Sequence, residues 1–265
     1  MKLKIGAVIV GVTVALAVVS LVWTPQDPLL AVPAERLAGS SWEHPLGTDR
    51  LGRDVLSRIM AGAQITMLVG LVAVGVAAVF GTALGVWAGM RRGWPETLIM
   101  RGADIVLAFP ALLLAIVAGA VFGPSTVTSM LAIGVAGIPG FARVARAGTL
   151  QVMTQDYIAA ARVSKVPGPV IAWRHVLPNI GGILVVQATV AFALAILAEA
   201  ALSFLGLGTA PPTPSWGRML QGAQAYLGSA PQLALWPGLA IAVAVLGFNL
   251  LGDGLRDALD PKRRR

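Results

Sequence analysis

Apolar residues run along this chain in long unbroken stretches, with polar positions gathered between them. A helix rises 1.5 Å per residue, so about 20 apolar residues cross a hydrocarbon layer of about 30 Å. Six stretches reach that length: residues 5–23, 64–90, 98–122, 126–145, 180–205 and 233–252. The pattern predicts an all-α polytopic membrane protein with six transmembrane helices. The first run could also be a signal peptide, but it exceeds the usual apolar core of one and has no small-residue cleavage site directly behind it.

Two polar segments interrupt the runs at length. Residues 24–62 carry Pro25, Pro28, Pro33 and Pro45 with several glycines, which predicts an irregular excursion ending in an amphipathic lead into the second span. Residues 206–232 contain Pro211, Pro212 and Pro214, which rule out a continuous helix there. Trp23, Trp42, Trp216 and Trp236 fall near span ends, where amphipathic rings anchor at the interface. Pro110 and Pro139 are expected to kink their helices. Gly81, Gly85 and Gly89 repeat on one face of the second span, which allows a neighbouring helix to approach closely.

Composition agrees: 57% of the 265 residues are hydrophobic and 12% charged, and mean hydropathy is +0.80. The net charge of +8 could suggest nucleic acid. Here, however, the basic residues sit at the ends of apolar runs, where they orient a protein in a bilayer. With the N-terminus inside, Lys2, Lys4, Arg91, Arg92, Arg101, Arg143, Arg146, Arg162, Lys165, Arg174, Arg256, Lys262, Arg263, Arg264 and Arg265 are cytoplasmic. Only Arg36, Arg50, Arg53, Arg58 and Arg218 lie outside. Both termini and residues 143–179 are therefore expected in the cytoplasm, and residues 24–62 and 206–232 outside.

Candidate chemistry is sparse. With no cysteine there is no thiolate nucleophile, disulfide or Cys metal site. His44 and His175 fall on opposite sides of the membrane, so no metal site is expected, and Ser203 has no base beside it in sequence. No G-x-x-x-x-G-K-[ST] pattern occurs, so the chain does not bind ATP by that route. Glu199 stands in an apolar span, where a carboxylate is costly unless it faces protein or water. It is a candidate for the translocation path, and equally for a carboxylate hydrogen-bonded between helices or protonated. Arg101 and Asp104, three apart on one helix face, are expected to pair.

The most informative segment is DYIAAARVSKVPGPVIAWRHVLPN, residues 156–179, a basic interruption with its own helical pattern. It resembles the EAA loop of the transmembrane subunits of ABC importers: E-A-A, three residues, Gly, nine residues, I-x-L-P. The ungapped match holds at Ala160, Ala161, Leu177 and Pro178. The family glutamate is Ala159 here and the family glycine is Lys165. The tripeptide Glu199-Ala200-Ala201 has the letters but lies inside a span. Four further blocks, HPLGTDRLGRDVLSR (44–58), RGADIVLAFPALLLAI (101–116), RHVLPN (174–179) and AEAALSFLGLGTAPPTPSWGRML (198–220), resemble permeases of the dipeptide, oligopeptide and nickel subfamily, DppC/OppC-type.

That resemblance implies a type I ABC importer permease fold. It divides into residues 1–62, a first helix plus an extracytoplasmic segment, and residues 63–265, a five-span core with a coupling loop at about 147–179. It also implies a multi-pass subunit of a bacterial inner or plasma membrane that is no enzyme itself. Its partners would be a homologous DppB-type permease, ATP-binding cassette subunits holding the ATP and Mg, an extracytoplasmic binding protein and membrane lipid, with no nucleic acid and no cofactor on this chain. Short peptides are the expected cargo, with nickel complexes or haem as alternatives. A proton-coupled secondary transporter using Glu199 is the reading from another class, and it would lack a docking loop.

In that family the loop forms a short coupling helix in a groove of the ATPase. The residues assigned to it here are Asp156, Ala159, Ala160, Ala161, Arg162, Lys165, Pro167, Gly168, Leu177 and Pro178. The residue before a proline avoids helical geometry. The first helical piece is therefore expected to end near Val166, ahead of Pro167-Gly168-Pro169, with Ala160 and Ala161 both facing the ATPase.

Overall fold

The computed structural model describes residues 1–259. Lys262, Arg263, Arg264 and Arg265, counted above as cytoplasmic charges, lie outside the described residues. Among the described residues, five helices are long and apolar enough to cross a membrane. They are α1 (Lys2–Val19), α2 (Val55–Arg91), α5 (Thr126–Val152), a helix from Gly168 to Phe204, and α10 (Gln232–Leu259). The fourth of these consists of α7 (Gly168–Ile171), a π turn (Ala172–Val176) and α8 (Leu177–Phe204). Between α2 and α5 stand α3 (Trp94–Leu107) and α4 (Ala111–Phe122), and the shorter elements are α6 (Asp156–Val163) and α9 (Trp216–Ala223). Many large apolar side chains are exposed, among them Val79 and Phe80 on α2 and Leu98 and Ile105 on α3, as a lipid-facing surface requires.

The third predicted span is broken. Residues 108–110 are not helical, and α3 and α4 meet at 81°. Pro110 has no N–H to bond back to Val106, and its ring pushes Phe109 out of the helical region. The same residue type at Pro139 is accommodated inside α5, where it is buried. Counting the bent pair as one crossing gives six.

The three glycines of α2 do what their spacing predicts. A Cβ at Gly85 would overlap the carbonyl of Ala142, one at Gly81 would lie 2.6 Å from Phe141 Cβ, and one at Gly89 2.7 Å from Thr149 Cβ. α2 and α5 therefore pack backbone to backbone. α1 lies against α10 in the same manner, with Gly254 on Leu3 and Gly247 on Ile9. α10 meets α8 through Phe248 stacked on Phe192, ring centres 4.2 Å apart. The expected division at residue 62 falls inside α2, which runs on without a break.

α2 also starts nine residues before the apolar run at Gln64. Asp54 caps it, its carboxylate accepting from the Ser57 amide at 2.7 Å. At about 1.5 Å per residue its 37 residues span about 55 Å, well beyond a hydrocarbon core. The two polar segments of the chain therefore sit at opposite ends of one rod: residues 20–54 and α9 around its N-terminal end, α6 and α7 around its C-terminal end.

Candidate functional site

The C-terminal end of α2 is where α6 docks. Ile158 is fully buried and Ala161 nearly so, packed with Val86, Ala145, Val152, Ile171, Val176 and Ile180 from α2, α5, α7, the π turn and α8. The other face of α6 is bare: Asp156, Tyr157, Ala159, Ala160, Arg162 and Val163 are exposed. Ala161, expected to face a partner beside Ala160, instead anchors the helix to its own bundle, and the small exposed pair is Ala159–Ala160. A helix places residues three apart on one side, so Ile158 and Ala161 both turn inward.

The helix ends at Val163, earlier than the expected Val166, and the reason lies in Lys165. Its φ is +53°, the left-handed conformation usually given to glycine. The Lys165 amide bonds to Arg162 O and the Val166 amide to Ala161 O, both at 3.0 Å, the paired reverse bonds that close a Schellman turn. The turn therefore falls at the family's glycine position, not later. Holding a lysine there costs about 1–2 kcal/mol relative to glycine.

Pro167 and Gly168 lead into α7, and the chain returns to the bundle through the π turn. Pro178 cannot donate to the carbonyl four residues back, and the widened turn ahead of it accommodates the ring. Asn179 Nδ2 donates to His175 O at 2.6 Å, occupying one carbonyl in this turn. The His175 ring lies 5.9 Å from that of Tyr157, which ties the return strand of the loop to α6. Leu177 is half-buried against the same cluster, and Pro178 is exposed.

Beside this loop α5 carries two ion pairs to α3. Arg143 Nη2 lies 2.6 Å from Asp104 Oδ1, and Arg146 Nε lies 2.6 Å from Glu96 Oε1. The expected Arg101–Asp104 pair does not form. Asp104 faces α5 and meets Arg143 there, while Arg101 is exposed. Sequence spacing gave the wrong partner because a neighbouring helix outbid a residue on the same one.

Glu199 is 1% exposed near the end of α8. Ser203 Oγ donates to its Oε1 at 2.7 Å, and the Thr209 amide donates to Ser203 Oγ at 3.0 Å. The carboxylate thus organises the turn out of α8. A groove of about 280 Å³ lies between α2, α5 and α8, lined by small residues such as Ala73, Gly137, Ala191 and Ala198 around a single amide, Gln187. Glu199 is not among the residues that line it. Trp216 is also not an interfacial anchor: it is 2% exposed, sits against Gly62, and donates through Nε1 to Ile59 O at 2.9 Å.

At the far end of α2, His44 bridges two carboxylates. Its Nδ1 is 3.0 Å from Asp54 Oδ1 and its Nε2 3.2 Å from Glu35 Oε2. Burial acts to lower its pKa, but hydrogen bonds and negative charge from Asp54 and Glu35 outweigh that and hold it above 6.5. None of these three residues was singled out from the sequence for this role. The only hint there was Asp54 three positions ahead of Ser57, a helix-start signal. Among the described residues no cluster of His, Asp and Glu suits a metal ion.

Residues 81–265 match the family described as binding-protein-dependent transport system inner membrane component. The chain is 42% identical over 260 residues to the dipeptide transport system permease protein DppC of Alkalihalophilus pseudofirmus, covering 98% of this chain and 86% of that one. It is 43% identical over 244 residues to the di/tripeptide permease DppC of Pseudomonas aeruginosa, covering 90% and 80%. To the glutathione transport system permease protein GsiD of Escherichia coli it is 47% identical over 224 residues, covering 84% and 74%. A helical bundle with a self-anchored loop at one end, matched over most of its length to such proteins, belongs to this inner-membrane family and is an ABC importer permease of its peptide subfamily.

Proposed function

We propose that this chain is the transmembrane subunit of an ATP-driven importer of short peptides, sharing its path with a homologous DppB-type permease. The observation that carries this reading is α6. It is fixed underneath by Ile158 and Ala161 and offers a bare face of Tyr157, Ala159 and Ala160 flanked by Arg162 and Lys165. A short helix tied to three long ones can pass a displacement from a moving ATPase into the bundle. ATP and Mg belong to that partner. The small-residue groove around Gln187 is the wall that the second permease would close. Peptide cargo is favoured over nickel complexes or haem by the relatives' names, all of which specify peptides or glutathione.

Charge supports an orientation with α6 in the cytoplasm and residues 20–54 outside, facing a binding protein. Because the chain lacks cysteine, single cysteines report on this directly. A Cys at Ser40 reacts with an impermeant reagent in intact cells and one at Ser164 only after permeabilisation; the opposite pattern inverts the orientation. For coupling, Ala160→Trp adds bulk to an exposed position and leaves the fold alone. The variant is expected to keep its place in the membrane and lose ATPase association or peptide uptake. Normal assembly and uptake would remove α6 from the coupling role.

A further inference from the structure

At the end of the bundle that carries residues 20–54, a cleft of about 310 Å³ opens between the turn after Asp49, the start of α2, and the loop leading through α9. Four guanidinium groups line it, those of Arg50, Arg53, Arg58 and Arg218, against one carboxylate, Asp49. Arg53 takes that carboxylate at 2.7 Å through Nε and 2.6 Å through Nη2. Arg58, only 4% exposed, reaches the same oxygen at 3.6 Å and donates through Nη1 to the neutral Pro28 O at 2.9 Å. Arg218 donates to another neutral acceptor, Gln221 Oε1, at 2.6 Å. Arg50 is exposed and makes no ion pair among the described residues.

The cleft therefore holds an excess of three positive charges, one of them on a deeply buried side chain. Arg58 is buried and shares the one carboxylate, Asp49, with Arg53, so its charge is only partly compensated, and an incoming anion would add to that compensation. Guanidinium groups are matched to carboxylates, which can accept two parallel hydrogen bonds. Apart from Thr213 and Gln221, the remaining wall is apolar, with Val55, Met219 and Leu233 its larger side chains. A bare inorganic anion would leave that wall unused, whereas a carboxylate with a side chain next to it would use both. The volume is at the lower limit for a small-molecule site, about 300 Å³, which fits one end of a short peptide.

The geometry points to a subsite for the free C-terminal carboxylate of a short peptide, held by Arg50, Arg58 and Arg218 on the side of the permease away from α6. This rests on the reading of the chain as a peptide importer subunit. The site differs from the Gln187 groove, and it would receive cargo at the mouth of the path before the helices rearrange.

The test uses the assembled complex of both permeases and their ATPases in lipid nanodiscs, without binding protein. Phenylglyoxal modifies accessible arginines, and mass spectrometry reads the rate at Arg50 and Arg218. Dialanine is expected to slow both reactions, and dialanine amide at the same concentration to leave them unchanged. Arg50→Gln, which removes an exposed side chain without a partner, is expected to weaken dialanine protection of Arg218 about tenfold, the loss of one charge-assisted hydrogen bond. Equal protection by the amide or by acetate would overturn the proposal, as would none from dialanine. Protection that appears only on adding peptide-free binding protein would assign the cleft to an acidic side chain of that partner and also overturn it. ATP-driven dialanine uptake by the complete system is measured separately. Its absence, with protection intact, would sink the importer reading and leave the subsite standing.

Discussion

The two ends of α2 are held by different balances of contact. Beside an apolar patch of Leu37 and Leu46 against Val55 and Leu233, residues 20–54 are held to the N-terminal end by many polar contacts: Asp54 to Ser57 and His44, Arg58 to Pro28 O, Gln26 N to Ser57 Oγ at 2.9 Å, Ser20 Oγ to Met60 O at 3.0 Å. The segment has almost no regular structure, only a single turn at Pro33–Glu35, so its shape depends on side chains satisfying buried backbone and charge. The other end is held by aliphatic side chains, Ile158, Ile171, Val176 and Ile180, and its polar groups point outward. Hydrogen bonds are directional, so the first end is fixed in detail. Apolar contact is not, so the second can tilt as a body while staying attached.

That contrast is most sharply broken by Ile158→Asp. A carboxylate placed in a site with no exposure has no partner, and α6 is expected to leave the bundle. Co-purification with the ATPase and peptide uptake should both fall to background, while a Cys at Ser40 keeps its wild-type labelling rate, because the far end does not depend on this contact.

Asp54→Ala is the counterpart at the polar end. It removes a helix cap, about 1 kcal/mol, and leaves His44 and the Ser57 hydroxyl without their acceptor, for about 2–3 kcal/mol in all. Limited proteolysis of residues 20–54 should accelerate markedly, while ATPase association persists. Unchanged proteolysis would show that the excursion is held by something other than this carboxylate.

A smaller effect follows pH. The folded pKa of His44 is raised, so its contribution to stability is complete below 6.5, where the unfolded chain is also protonated, and fades as pH rises through the folded value. Protection of residues 20–54 should therefore weaken between mildly acidic and alkaline pH, and His44→Gln should flatten that profile. Cleavage in the 155–176 loop, where the contacts are apolar, should not follow the same curve.

Lys165→Gly is the mildest change and has the opposite sign. Relief of the left-handed lysine is expected to stabilise the turn after α6 by about 0.5–1 kcal/mol net of the freer unfolded chain, seen as slower cleavage of the loop. Lys165→Val, with a branched side chain forced into the same φ, should destabilise it.

Legibility in the sequence followed the same divide. Apolar runs announced every span, because the length needed to cross lipid is fixed by the bilayer and needs no tertiary information. Pro110 announced a break, but the 81° between α3 and α4 is set by packing against neighbours that local sequence does not encode. The place of the turn after α6 was misread because rules for turns assign the left-handed position to glycine, and Lys165 holds it under tertiary constraint. Asp104 and Trp216 were misread for one reason: a partner distant in sequence, Arg143 in one case and the Gly62–Ile59 backbone in the other, outweighed the local pattern. The arginine cleft, drawn from residues more than 150 positions apart, has no local signature.

The π turn at Ala172–Val176 has a consequence for phase. Ile171 and Val176 are five residues apart, and in an α-helix of 3.6 residues per turn they would point about 140° away from one another. Both are nevertheless buried in the same cluster, because the wider turn absorbs one surplus residue. The helix from Gly168 to Phe204 is thus one rod mechanically but two helical frames angularly. Closing that turn to regular α-helix with every residue kept would rotate α7 by about 100° and carry Ile171 off the bundle, whereas deleting one residue between 172 and 176 would leave Ile171 and Val176 four apart, about 40° from one another and both on it. The angular setting of the loop against the span is stored in one residue's worth of backbone.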